Sequence, residues 1–506
     1  MILSTHPGLP RGKFLWIAGV ALLLLFLILG FIGGHDGIGS LDAVGIIRVV
    51  DLRLQTGKID VSRPPGHPLN EYWVLPNLVR LLGGGGTSDA LSPSAYAHYQ
   101  LVGGLICLGL FWFLLGEFSL SPARRLLATA CLAFSPQVLI TSSDGEEFLW
   151  GTGCIFAMIL VIAKLSANQI RQPVIGWGGA VALAVAASGY RIEYGAVAFL
   201  VVFGTLLVSD QSWPRIIGLA VWGALLLIIL WAPVLMHQGM AAPYTNSLSL
   251  KTRLGVGLYK LVFEAFGVAP ILISLIVLFQ ARGTFQILPS FHKNLLHYWM
   301  VWLVGIFFAL FFVYPTKIQV VLPGVACLIV LGAVHAGHRT WACFVLACLV
   351  LPLAHLDCFR NRQWTGLEFQ PSLLEQSLAQ KPAALGPETA AASRLALTGR
   401  HVVISPIWPW ALAWQKTNAG WPGVPVPESK GDRSVVAYMI GPGIVASRFI
   451  LDNGNPRLLR LYLQQGYDVW IDGDLYREMY MRYDLSAPTP ETAVVEGIPC
   501  RVLQVK

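Results

Sequence analysis

Charge is what this 506-residue chain has least of. Asp, Glu, Lys and Arg together make up 12% of it, about half the share of a soluble globular protein. Cysteine is nearly confined to apolar runs, where Cys107, Cys131, Cys154, Cys327, Cys343 and Cys348 behave as small hydrophobes. Only Cys358 and Cys500 lie elsewhere, and whether they pair is left open. No Cys/His spacing matches a zinc site. No basic cluster interleaved with aromatics could track a phosphate backbone, so the net charge of +8 calls for no nucleic-acid partner. An internal repeat is also missing, which argues against the inverted-repeat design of many transporters.

Hydrophobicity is abundant instead: 55% of residues are apolar. Eleven runs approach the length of about 20 residues that a bilayer crossing needs. They fall near 14–33, 99–118, 123–141, 147–165, 173–189, 194–209, 213–236, 261–280, 296–314, 318–335 and 340–356, the third, fifth and sixth being short or interrupted by Gly, Ser or Pro136. The chain therefore reads as an α-helical polytopic membrane protein. Arg11 and Lys13 precede the first run, which is too long for a usual signal-peptide core and lacks a small-x-small cleavage site, so it reads as an uncleaved anchor. Basic flanks place the N-terminus in the cytoplasm. Arg124, Arg125, Lys164, Arg171, Arg215, Arg282, Lys293 and Arg339 fall on that same side, whereas Lys251, Arg253 and Lys260 dissent in a segment read as a surface helix. Eleven crossings put the loop 34–98 and the C-terminal region outside, in the inner (plasma) membrane of a cell with an envelope beyond it.

The membrane unit spans 1–356, and from Asp357 the composition turns ordinary. In 357–506, strands are predicted at 401–405, 434–440 and 467–471 and a hairpin about Gly497-Ile498-Pro499, with helices at 386–399, 456–465 and 475–483. Strands alternating with helices indicate a small extracytoplasmic α/β domain. No glycine-rich phosphate loop follows any of its strands, which speaks against nucleotide binding there.

The first external loop carries the densest signal. Ala43, Ile46, Ile47, Val50 and Leu54 recur at three- and four-residue spacing, the mark of an amphipathic helix lying in the interface. Asp42 heads it and Gly57 ends it. Asp51 falls on the opposite flank of the apolar stripe from Asp42, so only one of the two can face a given site. Then follows Arg63-Pro64-Pro65-Gly66-His67-Pro68-Leu69, a rigid extended turn leading into a second surface helix. An Asp at this position also serves as a helix cap, which is the competing reading of Asp42. His67 reads as a turn residue.

These features together resemble the GT-C superfamily, polytopic glycosyltransferases that use polyprenyl-phosphate-linked sugars and include the protein O-mannosyltransferases and the lipid A aminoarabinose transferases. The resemblance covers the topology of 1–356 and, at motif level, 40–75 and more loosely 140–195. Many members begin the motif Asp-Glu, whereas here Asp42 is followed by Ala43. The resemblance implies an inverting sugar transfer, with a polyprenyl-phosphate-linked donor and a lipid, glycan or protein acceptor, and with Asp42 as general base. It also implies a second acidic contributor in the turn holding Asp144, Glu146 and Glu147. There Ser143-x-x-Glu146 equally reads as a capping box.

Sugar transfer from a lipid phosphate needs a base for the acceptor proton and cations for the leaving phosphate. Arg63, Arg191 and Lys317 are the external cations nearest span ends, and are the candidate phosphate binders. Arg191 alternatively pairs with Glu193. A divalent cation is compatible with this chemistry, and no residue is assigned to one. The competing functions are a transporter or flippase for lipid-linked sugars and a non-catalytic cell-envelope assembly factor.

Overall fold

The computed structural model describes residues 11–35, 46–47, 49–50, 53–54, 57, 66–83, 91, 93–144, 147–209, 211–238, 250–265, 267–281, 291–313, 317–351, 354–360, 363–371, 401–404, 424–425, 437–441, 444–447, 463–464, 466–472, 492–495 and 498–503. Seven of its helices are long and apolar enough to cross a membrane: Leu15–Ile32, Ala95–Glu117, Phe148–Ser166, Pro173–Tyr190, Trp213–Met236, Leu295–Val313 and Ile318–His335. Two further runs are bent pairs, Pro122–Ala133 with Pro136–Ser142 at 61° and Arg253–Phe263 with Val268–Ile276 at 89°. Ile192–Val208 and His338–Val350 are shorter apolar helices that correspond to the remaining two runs.

The break at Pro136 has a local cause. Proline has no N–H to offer the carbonyl of Leu132, which accepts instead from the Ser135 N–H at 3.1 Å and the Ser135 hydroxyl at 2.8 Å. The same hydroxyl accepts from the Val138 N–H at 3.4 Å, so one side chain serves both helix ends. At the other bend, Gly267 takes φ +78°, a conformation that costs an ordinary side chain about 1–2 kcal/mol.

Ile318–His335 is the most enclosed span and Leu15–Ile32 the least. Phe111, Phe148, Phe156, Phe307, Phe311 and Phe344 fill the centre of the bundle. In the first loop, residues 46–47, 49–50 and 53–54 are helical as the apolar spacing predicts. Ile46, Ile47, Val49 and Val50 are fully buried, and Val49 packs on Tyr72 and Val234. Gly57 closes that helix at φ +67°, with its N–H on the Arg53 carbonyl at 2.9 Å. The second surface helix opens as a π-helix, Leu69–Val74, and continues as Leu75–Gly83.

The last apolar run is helical only as far as Val350, and from Ala354 the chain is a strand, paired antiparallel with Gln363–Pro371. The expected strands form at His401–Ile404, Ala437–Gly441 and Asp468–Asp472, and the expected hairpin at Thr492–Val495 and Ile498–Leu503. They join a seven-stranded mixed sheet in the spatial order Val424–Pro425, Ala437–Gly441, Ile444–Ser447, His401–Ile404, Asp468–Asp472, Ile498–Leu503, Thr492–Val495. Ile444–Ser447, His401–Ile404, Asp468–Asp472 and Ile498–Leu503 run parallel. The helices predicted at 386–399 and 475–483, and most of 456–465, lie outside the described residues.

Candidate functional site

Four segments distant in sequence meet at one end of the bundle. The first is Gly66–Asn70, where Gly66 turns the chain at φ +91° and the Glu71 N–H bonds the His67 carbonyl at 2.8 Å to start the π-helix. The second is Glu147, which immediately precedes the helix Phe148–Ser166. The third is the junction 190–194, where Arg191 sits extended (φ −149°, ψ 119°) between two helices. That hairpin is tight enough to require glycine at 195, since a Cβ there would lie 2.6 Å from Ser188 Cα. The fourth is the 3-10 turn Ile318–Val321, whose Gln319 carbonyl accepts from the Tyr194 hydroxyl at 3.2 Å.

Charge is concentrated where these segments touch. Glu147 is wholly buried and its Oε1 takes two partners, His67 Nε2 at 3.2 Å and Arg191 Nη1 at 3.1 Å. Arg191 turns its other edge to Glu193 Oε1, through Nη2 at 2.6 Å and Nε at 2.7 Å. Its guanidinium carbon lies 4.2 Å from the centre of the Phe148 ring, a cation–π contact. His67 Nδ1 donates to the Tyr190 carbonyl at 2.6 Å. Burial alone would lower the pKa of Arg191, but Glu193 and Glu147 more than reverse it, so the net shift is upward. Helices Phe148–Ser166 and Ile192–Val208 both begin here, and their N-terminal dipoles favour anions.

Beneath the charges lies an aromatic stack. Tyr96, Tyr99, Trp150 and Tyr190 follow one another at centroid distances of 6.1, 4.7 and 6.0 Å. Tyr99 and Tyr190 share a hydroxyl hydrogen bond at 3.4 Å, and Asn70 donates to the Tyr96 hydroxyl at 3.1 Å. The stack fixes Tyr190 from below, and with it the carbonyl that holds His67.

Of the residues singled out from sequence, Glu147 and Arg191 are brought into direct contact, and Lys317 begins the turn on which Tyr194 is anchored. Arg191 also pairs with Glu193, as the alternative reading of that segment has it. The capping-box reading of Ser143 is corrected: residue 143 lies inside the helix Pro136–Asp144, and Glu147 precedes the next helix without a side-chain cap. Asp42, Asp51, Arg63 and Glu146 lie outside the described residues, and of Asp144 only the backbone, closing that helix, is described. His67 is the residue sequence reading undervalued. A histidine between Gly66 and Pro68 looks like part of a turn, and its partners come from segments far downstream. Among the described residues, no group of three or more His, Cys, Asp or Glu gathers to hold a metal ion.

No family model matches the sequence, and no curated protein matches it. Among solved structures the chain is similar to ArnT from Cupriavidus metallidurans. The crystal structure of that protein in the apo state aligns at a TM-score of 0.50 and 12% identity, covering 79% of this chain and 85% of that one. The crystal structure of the same protein bound to undecaprenyl phosphate gives a TM-score of 0.49 and 14% identity, covering 78% and 84%. At such identity the likeness is one of architecture: the chain shares the overall fold of that protein.

Proposed function

We propose that this chain is an integral-membrane glycosyltransferase that moves a sugar from a polyprenyl-phosphate-linked donor to a lipid, glycan or protein acceptor on the extracytoplasmic side, with Asp42 as the general base. The observation that carries the reading is the cluster of Glu147, Arg191, Glu193 and His67 at one end of a GT-C bundle. Ionisable groups buried in a membrane protein are expensive and mark function by default. The fold is that of ArnT, a transferase, and this chain covers most of that protein's length.

In the proposed reaction the acceptor oxygen attacks the anomeric carbon from the face opposite the phosphate. Its proton passes to the Asp42 carboxylate. The bond between the anomeric carbon and the phosphate oxygen breaks, and its electron pair leaves with the polyprenyl phosphate. Negative charge grows on that phosphate as the bond lengthens, so fixed cations stabilise the transition state more than the ground state. Arg63, Arg191 and Lys317 are assigned that task. Arg191 uses three N–H donors on carboxylates, and a guanidinium carries five. Asp144, Glu146 and Glu147 form the second acidic group, in which Glu147 orients Arg191. Val49, seven positions after Asp42 in the sequence, packs on Tyr72 in the π-helix that follows His67, which supports reading the first loop and the cluster as one site.

A flippase or an assembly factor would need headgroup attraction but no base. The test compares Asp42→Asn with Asp51→Asn in a deletion strain, read by glycan and glycolipid profiling. Asparagine caps a helix about as well as aspartate, so both proteins insert. Asp42→Asn should lose transfer by about 10²- to 10⁴-fold, the range for a missing general base, and Asp51→Asn far less. Equal tolerance at both positions overturns the assignment of Asp42.

A further inference from the structure

We infer that His67 is held as an imidazolium, a positioning cation that neutralises Glu147 and so keeps the rim open to a phosphate. The geometry of the ring carries this. Nδ1 lies 2.6 Å from the Tyr190 carbonyl oxygen, an atom that can only accept, so Nδ1 bears a hydrogen. In a neutral ring Nε2 would then be a bare lone pair, and it lies 3.2 Å from a carboxylate oxygen. Two acceptors do not face each other at that distance inside a buried site, so a proton lies between them. Arg191 Nη1, at 3.1 Å from the same Oε1, keeps Glu147 ionised. Free histidine also holds a proton about two pH units more tightly than free glutamate. The proton therefore belongs to His67.

The described charged and titratable groups around this ring are Glu147 ahead of Phe148–Ser166, Arg191 and Glu193 with the Tyr190 and Tyr194 hydroxyls from the 190–194 junction, and Glu71 on the π-helix that His67 leads into. With His67 charged, it and Arg191 offset the two carboxylates they touch, Glu147 and Glu193. Without that proton the cluster carries one more negative charge, facing the place where a donor phosphate would sit. That last consequence rests on the reading of the rim as the phosphate site; the protonation state of His67 does not.

The full-length protein in lipid nanodiscs, labelled with ¹⁵N-histidine, separates the two. Comparison with His67→Gln, or with His67→Asn should that variant not fold, identifies the His67 signal. At neutral pH both of its ring nitrogens should carry protons, and Glu147→Gln should leave Nδ1 protonated alone. A wild-type His67 with unprotonated Nε2 at neutral pH overturns the inference. In a second arm the affinity for a short-chain polyprenyl phosphate is measured at neutral pH, where a phosphate monoester is already largely ionised. His67→Gln should bind it about fivefold more weakly than wild type, a loss on the scale of one partly screened charge. A doubly protonated His67 with unchanged phosphate affinity in His67→Gln overturns the link between this cation and the phosphate.

Discussion

At the scale of single residues, Arg191 holds two buried carboxylates apart and together at once. Removing it does more than delete a contact, because Glu147 and Glu193 would both lose the guanidinium they share, with His67 left facing Glu147. Arg191→Ala should therefore cost about 3–5 kcal/mol, the range for breaking one side of a buried pair, measured by thermal unfolding of the detergent-solubilised protein. Arg191→Lys keeps the charge but not the fork, since a single ammonium cannot span both carboxylates in the same geometry, and should lose a smaller part of that stability. The Arg191–Glu193 pair was legible because both partners sit two positions apart at a span end. Which of Asp144, Glu146 and Glu147 reaches Arg191 was not, because that choice depends on where the His67 turn and the 190–194 hairpin come to rest. Spacing within one segment carries no such information.

At the scale of elements, the close hairpin between Pro173–Tyr190 and Ile192–Val208 decides how well the cluster is held. A Cβ at residue 195 would strike Ser188 at its backbone, at 2.6 Å from Cα and 2.9 Å from N, so no rotamer change relieves it. Gly195→Ala should lower stability by about 1–3 kcal/mol, as overpacking does. Gly179→Ala is the control, since nothing lies within 4 Å of its Cβ; it should be neutral or slightly stabilising by helix propensity. Expression yield and melting temperature of the two variants check both expectations. Pro136 was visible in the sequence as an interruption. The 61° bend was not, because the Leu132 carbonyl is satisfied by Ser135 through both its N–H and its hydroxyl, and that side chain could equally have pointed elsewhere. The helix of the first loop was legible from its apolar spacing. That Ile46, Ile47 and Val50 are fully buried, and that Val49 beside them packs on Tyr72 and Val234, follows from packing between segments far apart in the chain.

At the scale of the whole molecule, the scarcity of charge and the length of the apolar runs were enough to read a polytopic helical bundle, and the distribution of Arg and Lys gave it an orientation. The order of strands in the C-terminal sheet could not be read in the same way, because His401–Ile404 finds its neighbours at Ile444–Ser447 and Asp468–Asp472 rather than in adjoining sequence. The orientation yields a direct expectation. A compartment-sensitive reporter fused after Lys506 should be active outside the cytoplasm, and one fused after Gln172, just ahead of the helix Pro173–Tyr190, should be active inside. Activity in the same compartment for both would mean that the crossing count is wrong, and with it the side on which the charged cluster faces.

The thinly covered first helix, Arg11–His35, bears on how the protein is made. It meets the bundle along a narrow seam, with Gly19 beside Leu126, Gly30 against Leu101 and Phe31 stacked on His98, while Trp16, Leu24 and Ile28 on its other sides remain largely exposed. Helices in lipid associate through packing rather than through escape from water, and this one packs through one face only, centred on the fully buried Phe26. It can leave the translocation machinery and wait in the bilayer as an independent segment while the rest of the chain is synthesised. Its docking is then a late and weakly driven event in assembly, completed when Leu101 and Leu126 arrive to fill the spaces those glycines leave.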